Sequence, residues 1–156
     1  MFQPLEAKNH YYITDSRDIN DDSITASIKI AESGMQAQSN RLKVISQNIA
    51  NSEVTGTDSS DNPYRRKIIF FKNVIDQNTG AEIIVVDKID IDKSPYILKY
   101  EPHHPAADQN GYVKYPNVNI IIENVDAKEA ERSFSANINS LGISKSLAHK
   151  TLKIME

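Results

Sequence analysis

Apolar side chains recur at alternating intervals of four and three residues between Ile24 and Ile49. This spacing keeps them on one side of an α-helix and is the heptad pattern of a helix that packs along a narrow apolar seam. We predict a helix that begins near Ser23 and ends between Asn51 and Gly56, where turn-forming residues accumulate. The positions in phase are Ile24, Ile28, Ala31, Met35, Gln38, Leu42, Ile45 and Ile49.

A second stretch with the same spacing occupies the end of the chain, and segment 123–156 is assigned to it. Asp126, with Glu129 three residues later, has the form of a capping box, which predicts the first turn of this helix. The positions in phase are Phe134, Ile138, Leu141, Lys145, Ala148, Leu152 and Met155. Residues 1–22 show neither a helical nor a strand period and are predicted to form a loose N-terminal arm, for which disorder is left open.

Residues 57–122 have a different pattern, in which β-branched and aromatic runs are separated by turn-forming sequences. The runs are Arg66–Val74, Ala81–Ile91, Tyr96–Tyr100 and Tyr112–Ile122. They predict a small β-rich module, inserted between two helical segments of similar length (23–56 and 123–156). The predicted fold class is therefore α+β, with long N- and C-terminal heptad helices that form an antiparallel, coiled-coil-like pair around the inserted module.

Neither helix has a wholly apolar seam, because Gln38 and Lys145 interrupt the two patterns. A pair of helices leaves much of its apolar surface in water, so we expect helices of other subunits to cover it. The alternative is that both helices pack on the β module in a compact fold. The predicted assembly interface comprises Ile28, Met35, Leu42, Ile45, Ile49, Asn51, Phe134, Asn137, Ile138, Leu141 and Leu152.

The charge balance argues against a nucleic acid partner, since 18 basic and 21 acidic residues give a net charge of -3. The absence of cysteine excludes disulfides and thiolate metal sites. No apolar run is long enough to span a bilayer, and the first residues lack the apolar core of a signal peptide. We expect a protein that does not insert directly into a membrane and that is either soluble or exported without a cleaved signal.

Candidate chemistry centres on the stretch HHPAADQNG at residues 103–111, since the carboxylates of Asp87, Asp90 and Asp92 are better explained as a solvated strand face than as a cation site. His103 and His104 are adjacent, so their side chains point in different directions and make a poor pair of ligands for one ion. The sequence also has no nucleophile elbow and no phosphate-binding glycine loop, so we expect no catalytic residue, no metal and no cofactor. The alternative function is a small ligand- or metal-binding module that uses His103, His104 and Asp108. The basic cluster at residues 65–67 is expected to pair with acidic neighbours.

Four sequence stretches together resemble bacterial flagellar axial proteins, the rod and hook family. They are SGMQAQSNRLKVISQNIANSEVTGT (33–57), PYRRK (63–67), HPAADQNGYVKYPNVN (104–119) and ENVDAKEAERSFSANINSLGISKSLAHKTLKIM (123–155). The first is similar to a motif shared across the family, whereas the third and fourth resemble the proximal-rod branch. The residues that carry the branch signature form a connector between the β module and the second helix: Gly111, Tyr112, Val113, Tyr115, Pro116, Asn117, Val118 and Asn119.

The resemblance implies a structural subunit of the rod that crosses the periplasm and transmits torque. It implies terminal helices that pair in the inner layer of the axial tube, with the β module outside. The implied partners are copies of the same chain, the other rod proteins FlgB, FlgF and FlgG, and FliE at the junction of rod and MS ring. Delivery by the flagellar type III export apparatus would explain the missing signal peptide.

Overall fold

The computed structural model describes residues 16–154, with side chains from residue 23 onwards. It has two long helices at either end of the described chain and four strands between them, which confirms the predicted α+β class. The elements in chain order are α1 (Ser16–Ala50), β1 (Lys67–Ile75), β2 (Glu82–Ile91), β3 (Ile97–Tyr100), β4 (Tyr112–Tyr115) and α2 (Ile120–Ile154).

The two helices lie side by side in opposite directions. Near the end of α1, Asn48 bonds to Glu123 in the first turn of α2. Earlier in α1, Arg41 lies 3.6 Å from Asp126 of α2. Because residue numbers rise along one helix as they fall along the other, the pair is antiparallel, as predicted. Whether the helices wind around each other as a coiled coil stays a prediction.

Small side chains dominate the contact between the helices. Ala31 of α1 and Ala130 of α2 are 3% and 0% exposed. At Gly34 the backbone of α1 approaches α2 so closely that an added Cβ would lie 2.6 Å from Nδ2 of Asn137. Most of the large apolar side chains of α2 remain exposed, outside this contact.

Both helices begin earlier than the sequence pattern predicts. The prediction that Asp126 caps α2 is wrong, because Oδ1 of Asn119 accepts hydrogen bonds from the amides of Ile121 and Ile122 at 3.0 and 3.3 Å. Asn119 is thus the N-cap, which satisfies two of the otherwise unpaired amides of the first turn. Helix α1 begins at Ser16, so the end of the predicted arm is helical. Residues 1–15 of the arm lie outside the described residues.

The strands form two separate antiparallel hairpins, β1 with β2 and β3 with β4. The first packs along α1, where the amide of Ile84 donates to Oγ of Ser33 at 3.3 Å. Helix α1 therefore lies between this hairpin and α2. The fourth predicted strand ends at Tyr115 instead of continuing to Ile122, because Pro116 has no amide hydrogen to donate to a ladder and α2 starts four residues later.

No helix within residues 16–154 is both long and apolar enough to cross a membrane.

Gly111 ends the turn between β3 and β4 with a φ of +81°, which L side chains rarely adopt. An added Cβ would also lie 2.9 Å from the ring of Tyr100. We expect Gly111→Ala to lower the free energy of unfolding by about 1–3 kcal/mol. Chemical denaturation of the purified variant measures this loss.

Gly142 provides the matched control. It lies within α2, and an added Cβ would meet nothing within 4 Å. Gly142→Ala should therefore raise the free energy of unfolding by about 0.5–1 kcal/mol, because alanine loses less backbone entropy in a helix. Equal effects of the two substitutions would contradict the assignment of strain to Gly111.

Candidate assembly interface

Four of the predicted interface residues of α1 form one stripe. Ile28, Met35, Leu42 and Ile49 are seven residues apart, and all are only partly exposed. The groove between α1 and β2 is lined in part by Ser33, Ala37 and Asn40. Each of them is two residues away from a member of the stripe, which places its side chain roughly 200° around the helix from the stripe. The stripe therefore lies on the side of α1 that faces away from the β1–β2 hairpin.

The other predicted residues of α1 have local roles in the described chain. Ile45 is 5% exposed and belongs to the core. Asn51 follows the helix, and both its backbone amide and its Nδ2 donate to the carbonyl of Gln47, at 3.2 and 2.7 Å. Their part in assembly stays a prediction.

On α2 the predicted residues divide between the helix contact and its outer surface. Phe134, Leu141 and Asn137 are partly buried, whereas Ile138 and Leu152 are 47% and 64% exposed. A second series of positions on α2 repeats every seven residues: Glu123, Ala130, Asn137 and Ser144. All of these are buried except Asn137, which is partly buried. Polar and small residues therefore make up much of the contact with α1, beside the partly buried Phe134 and Leu141. The large apolar residues exposed on this helix are Ile120, Ile121, Ile122, Val125, Ile138, Ile143, Leu147, Leu152 and Ile154.

A polar cluster with two buried and three partly buried members joins the two helices to the β module. We call it the polar junction and define it as Asn48, Tyr64, Arg66, Asn117 and Glu123. Asn48 and Glu123 are both 1% exposed, although one carries an amide and the other a carboxylic acid. Because buried polar groups cost stability unless they are paired, the contacts of this cluster decide whether it stabilises the fold.

Asn48 uses its full hydrogen-bonding capacity. Its Nδ2 donates to the carbonyl of Lys67 at 3.0 Å and to Oε2 of Glu123 at 3.1 Å. Its Oδ1 accepts from the amide of Lys67 and from the hydroxyl of Tyr64, both at 2.8 Å. One side chain at the end of α1 thus fixes the start of β1 and the first turn of α2.

Arg66 provides the charge that balances Glu123. Its Nε donates to Oε1 of Glu123 at 2.6 Å, and its other nitrogens lie 3.8 Å from Asp92 and from Asp126. The backbone amide of Arg66 donates to Oδ1 of Asn117 at 2.9 Å. The prediction that the basic cluster pairs with acidic neighbours is confirmed for this residue.

Shifted pKa values are found for Tyr64 of the junction and for Asp92 beside it. Burial raises the pKa of the Tyr64 hydroxyl above its usual value of 10.0, and the charge of Glu123 raises it further. Tyr64 therefore remains a hydrogen-bond donor at neutral pH. Hydrogen bonds from Ser94, and then the charges of Arg66 and Arg65, lower the pKa of Asp92, which keeps its carboxylate ionised.

The connector from Gly111 to Asn119 positions the second helix. Val113, Pro116 and Val118 are buried, while Nδ2 of Asn117 donates to Oγ of Ser94 at 2.8 Å. The hydroxyl of Tyr115 donates to the carboxylate of Glu101 at 3.0 Å. Tyr112 is 43% exposed and lies against Tyr100, with 5.4 Å between ring centroids.

The residues of the alternative ligand site are used in local turns. His103 is exposed, and Nδ1 of His104 accepts from the amide of Ala106 at 3.1 Å. Oδ1 of Asp108 accepts from the amides of Asn110 and Tyr112 at 2.8 and 2.9 Å. No group of three or more His, Cys, Asp or Glu side chains that could hold a metal ion occurs among residues 23–154.

The pattern of the sequence did not reveal Asn48 and Glu123. Asn48 directly precedes Ile49 in SQNIAN, and Glu123 directly follows three isoleucines in IIIENV. A polar residue beside an apolar position of a helix is usually solvated, so the neighbouring isoleucines were only a weak signal of burial. The partner that buries each residue is 75 positions away in the chain, and the pattern alone does not identify it.

Known proteins similar to this chain are flagellar. The model of the flagella basal body rod protein family matches residues 28–56. The flagellar basal-body rod protein FlgC of Agrobacterium fabrum is 41% identical over 86% of this chain and 97% of its own length. The FlgC protein of Salmonella typhimurium is 41% identical over 80% and 92% of the two chains, and that of Borreliella burgdorferi is 37% identical over 84% and 97%.

Proposed function

Because this chain belongs to the FlgC family of flagellar basal-body rod proteins, we propose that it is a proximal-rod subunit that assembles head to tail with other axial proteins. The chain is a structural subunit of the rod in the flagellar basal body, and it is not an enzyme. The finer proposal is that its rod crosses the periplasm and acts as the drive shaft for motility.

The exposed apolar surface of the terminal helices is the observation that carries this proposal. Helix α2 is 35 residues long, or about 52 Å, and touches α1 along one side only. Ile143, Leu147 and Ile154 are 63%, 51% and 85% exposed. A helix that is apolar on several sides is typical of one buried among other helices, which supports assembly through α1 and α2.

The polar junction supports the proposed role in torque transmission. A subunit that transmits torque must not let its outer module rotate freely against its helices. Asn48 of α1 bonds to β1 and to α2, and Arg66, directly before β1, bonds to α2, through hydrogen bonds that are buried or partly buried. Buried, fully paired polar networks fix one arrangement of the elements they join, so this cluster favours a β module held rigidly on the helix pair.

The proposed partners are further copies of this chain, the rod proteins FlgB, FlgF and FlgG, and FliE. We place the assembled subunit in the rod within the periplasm and propose that the flagellar type III apparatus exports it without a cleaved signal. Membership of the rod family supports these proposals. No observation favours the alternative of a ligand- or metal-binding module at His103, His104 and Asp108.

Amide hydrogen exchange tests whether assembly covers the terminal helices. In a dilute solution of the full chain, we expect the second half of α2 to exchange quickly because its packing is one-sided. Addition of FlgB at equimolar concentration should slow exchange in both helices and leave the β1–β2 hairpin unchanged. Full protection of both helices in the dilute chain, with no change on mixing, would contradict the proposal.

The matched control is His103→Ala with His104→Ala. This double variant should show the same exchange pattern as the unmodified chain, since neither residue lies on the helices. Calorimetric titration of zinc and magnesium into both proteins tests the alternative separately. Heat that depends on the two histidines would support a ligand site.

A further inference from the structure

The turn between β3 and β4 contains Asn110 and Gly111, the only Asn-Gly pair of the sequence. Asparagine before glycine is prone to deamidation, in which the backbone nitrogen of the following residue attacks the side-chain amide carbon. Glycine has no Cβ to hinder that approach, so this pair reacts faster than asparagine before any other residue. Asn110 is exposed to solvent. By composition alone the turn is therefore chemically labile.

The reaction has two steps, and water is its only co-reactant. The nitrogen of Gly111 bonds to Cγ of Asn110, the bond from Cγ to Nδ2 breaks, and the proton of the Gly111 amide leaves with the amino group as ammonia. The product is a cyclic succinimide. Water then opens the ring at Cγ, which gives aspartate, or at the backbone carbonyl carbon, which gives isoaspartate. Isoaspartate routes the main chain through Cβ and Cγ, so the backbone gains one atom.

The folded turn holds the attacking nitrogen away from this chemistry. The amide of Gly111 donates to the carbonyl of Asp108 at 2.9 Å, and Gly111 is buried. The nitrogen must lose its proton to attack, and the hydrogen bond stabilises the protonated amide. Packing leaves the nitrogen little room to move, because a Cβ at Gly111 would lie 2.9 Å from the ring of Tyr100 and 3.1 Å from Cβ of Pro102.

The backbone conformation of Asn110 also prevents ring closure. The bond from Gly111 to Asp108 closes a four-residue β-turn. No residue other than glycine has a positive φ in the part of the chain that the structure describes, so Gln109 and Asn110 form a type I turn. The third residue of such a turn has a ψ of about 0°. Ring closure eclipses Cβ of Asn110 with the Gly111 nitrogen, which requires a rotation of about 120° because bonds at a tetrahedral carbon are spaced by that angle.

Asp108 resists this rotation because it holds the residues on both sides of the reactive bond. Its Oδ1 accepts from the amides of Asn110 and Tyr112 at 2.8 and 2.9 Å. Its own amide donates to the carbonyl of Tyr112 at 2.9 Å. Rotation of Asn110 therefore breaks several hydrogen bonds of the turn together. In the folded chain the reaction has to wait for local opening.

We propose that Asn110 is a deamidation site that the folded turn protects, so that the reaction takes place in chains that are unfolded. Isoaspartate adds a main-chain atom to a turn in which Asp108 accepts three backbone amides. A chain that carries it cannot close the turn, and residues 111–119 then no longer position α2. Prolonged unfolding thus removes chains permanently from those that are able to fold. This protection does not depend on whether the chain assembles.

Peptide mass spectrometry measures the reaction as the mass gain of deamidation at Asn110. The full chain is incubated in one mildly alkaline buffer, either folded or unfolded in guanidinium chloride. We expect the folded chain to react at least about 10-fold more slowly, because the open turn is a small fraction of its population. A synthetic peptide of residues 106–114, incubated in both solvents, corrects for the denaturant itself. Equal corrected rates in the two states would overturn the proposal.

Asp108→Ala tests whether this turn provides the protection. Loss of the carboxylate should speed deamidation of the folded chain about 3- to 10-fold, relative to the same variant unfolded, because two hydrogen bonds of the turn are lost. Asp76→Ala is the matched control. Its Oδ2 accepts from the amide and hydroxyl of Thr79 in the turn between β1 and β2, at 3.0 and 2.8 Å. It should leave the rate at Asn110 unchanged. Equal rates in the two variants would contradict a protective role of Asp108.

Refolding tests the effect of isoaspartate. Chains aged in guanidinium chloride are diluted to refold, and brief proteolysis then cleaves those in which the connector stays open. Isoaspartate at position 110 should be lost from the surviving protein. Asn110→Asp keeps the length of the main chain and should refold like the unmodified chain. Survival of isoaspartate in the proportion present before refolding would show that the turn tolerates the extra atom, against the proposal.

Discussion

Arg66→Met is expected to lower the free energy of unfolding by about 3–5 kcal/mol, a large part of the stability of a domain of this size. The substitution leaves the carboxylate of Glu123, which is 1% exposed, without the guanidinium that balances it. Asn48 alone remains as a hydrogen-bond donor to that carboxylate. The cost arises mainly from an unpaired buried charge, since methionine fills much of the volume of the arginine stem.

Urea denaturation of the purified chain measures this loss, and two further variants identify its cause. Lys72→Met removes an exposed ion pair between β1 and Asp87 of β2 and should cost less than about 1 kcal/mol. Arg66→Met combined with Glu123→Gln removes both charges and should recover most of the stability. If Arg66→Met costs no more than Lys72→Met, the junction does not stabilise the fold as described.

The elements of the fold follow from local patterns, which is why the sequence predicts them well. The period of Ile28, Met35, Leu42 and Ile49 predicts α1, and β-branched runs between turn sequences predict the hairpins. The ends of the helices are harder to predict from the sequence, because capping depends on a single side chain. Asn119 and Asp126 are both residue types that commonly cap helices. Which of them is the N-cap depends on where Pro116 ends the preceding strand.

The candidate interface is predictable only in part. The heptad pattern of α2 selects Ile138 and Leu152, yet Asn137 and Ser144 occupy the contact with α1. A pattern identifies which residues avoid water in the final assembly, but it does not say which partner covers them. In this chain small and polar residues of α2 such as Ala130 and Asn137 pack against α1, while several of its large apolar residues, Ile138 and Leu152 among them, stay exposed.

The stripe on α1 gives the second prediction of large effect. Leu42→Asp is expected to abolish assembly while the isolated chain keeps its β module folded. Leu42 is partly exposed, so an aspartate there remains in water in the single chain. In an assembled rod the same carboxylate would be buried without a partner, at a cost of about 3–5 kcal/mol for each contact. That cost weakens association by a factor of about 100 or more.

Circular dichroism of the purified variant tests the fold, and sedimentation with FlgB tests assembly. Lys43→Asp is the matched control, since it adds the same residue one position further along the same helix, where the native side chain is exposed. It should assemble like the unmodified chain and support motility in a strain that lacks the native subunit. Leu42→Asp should support none. A motile Leu42→Asp strain would place the α1 stripe outside the assembly interface, and the contacts of the rod would then have to be sought on α2 and the β module.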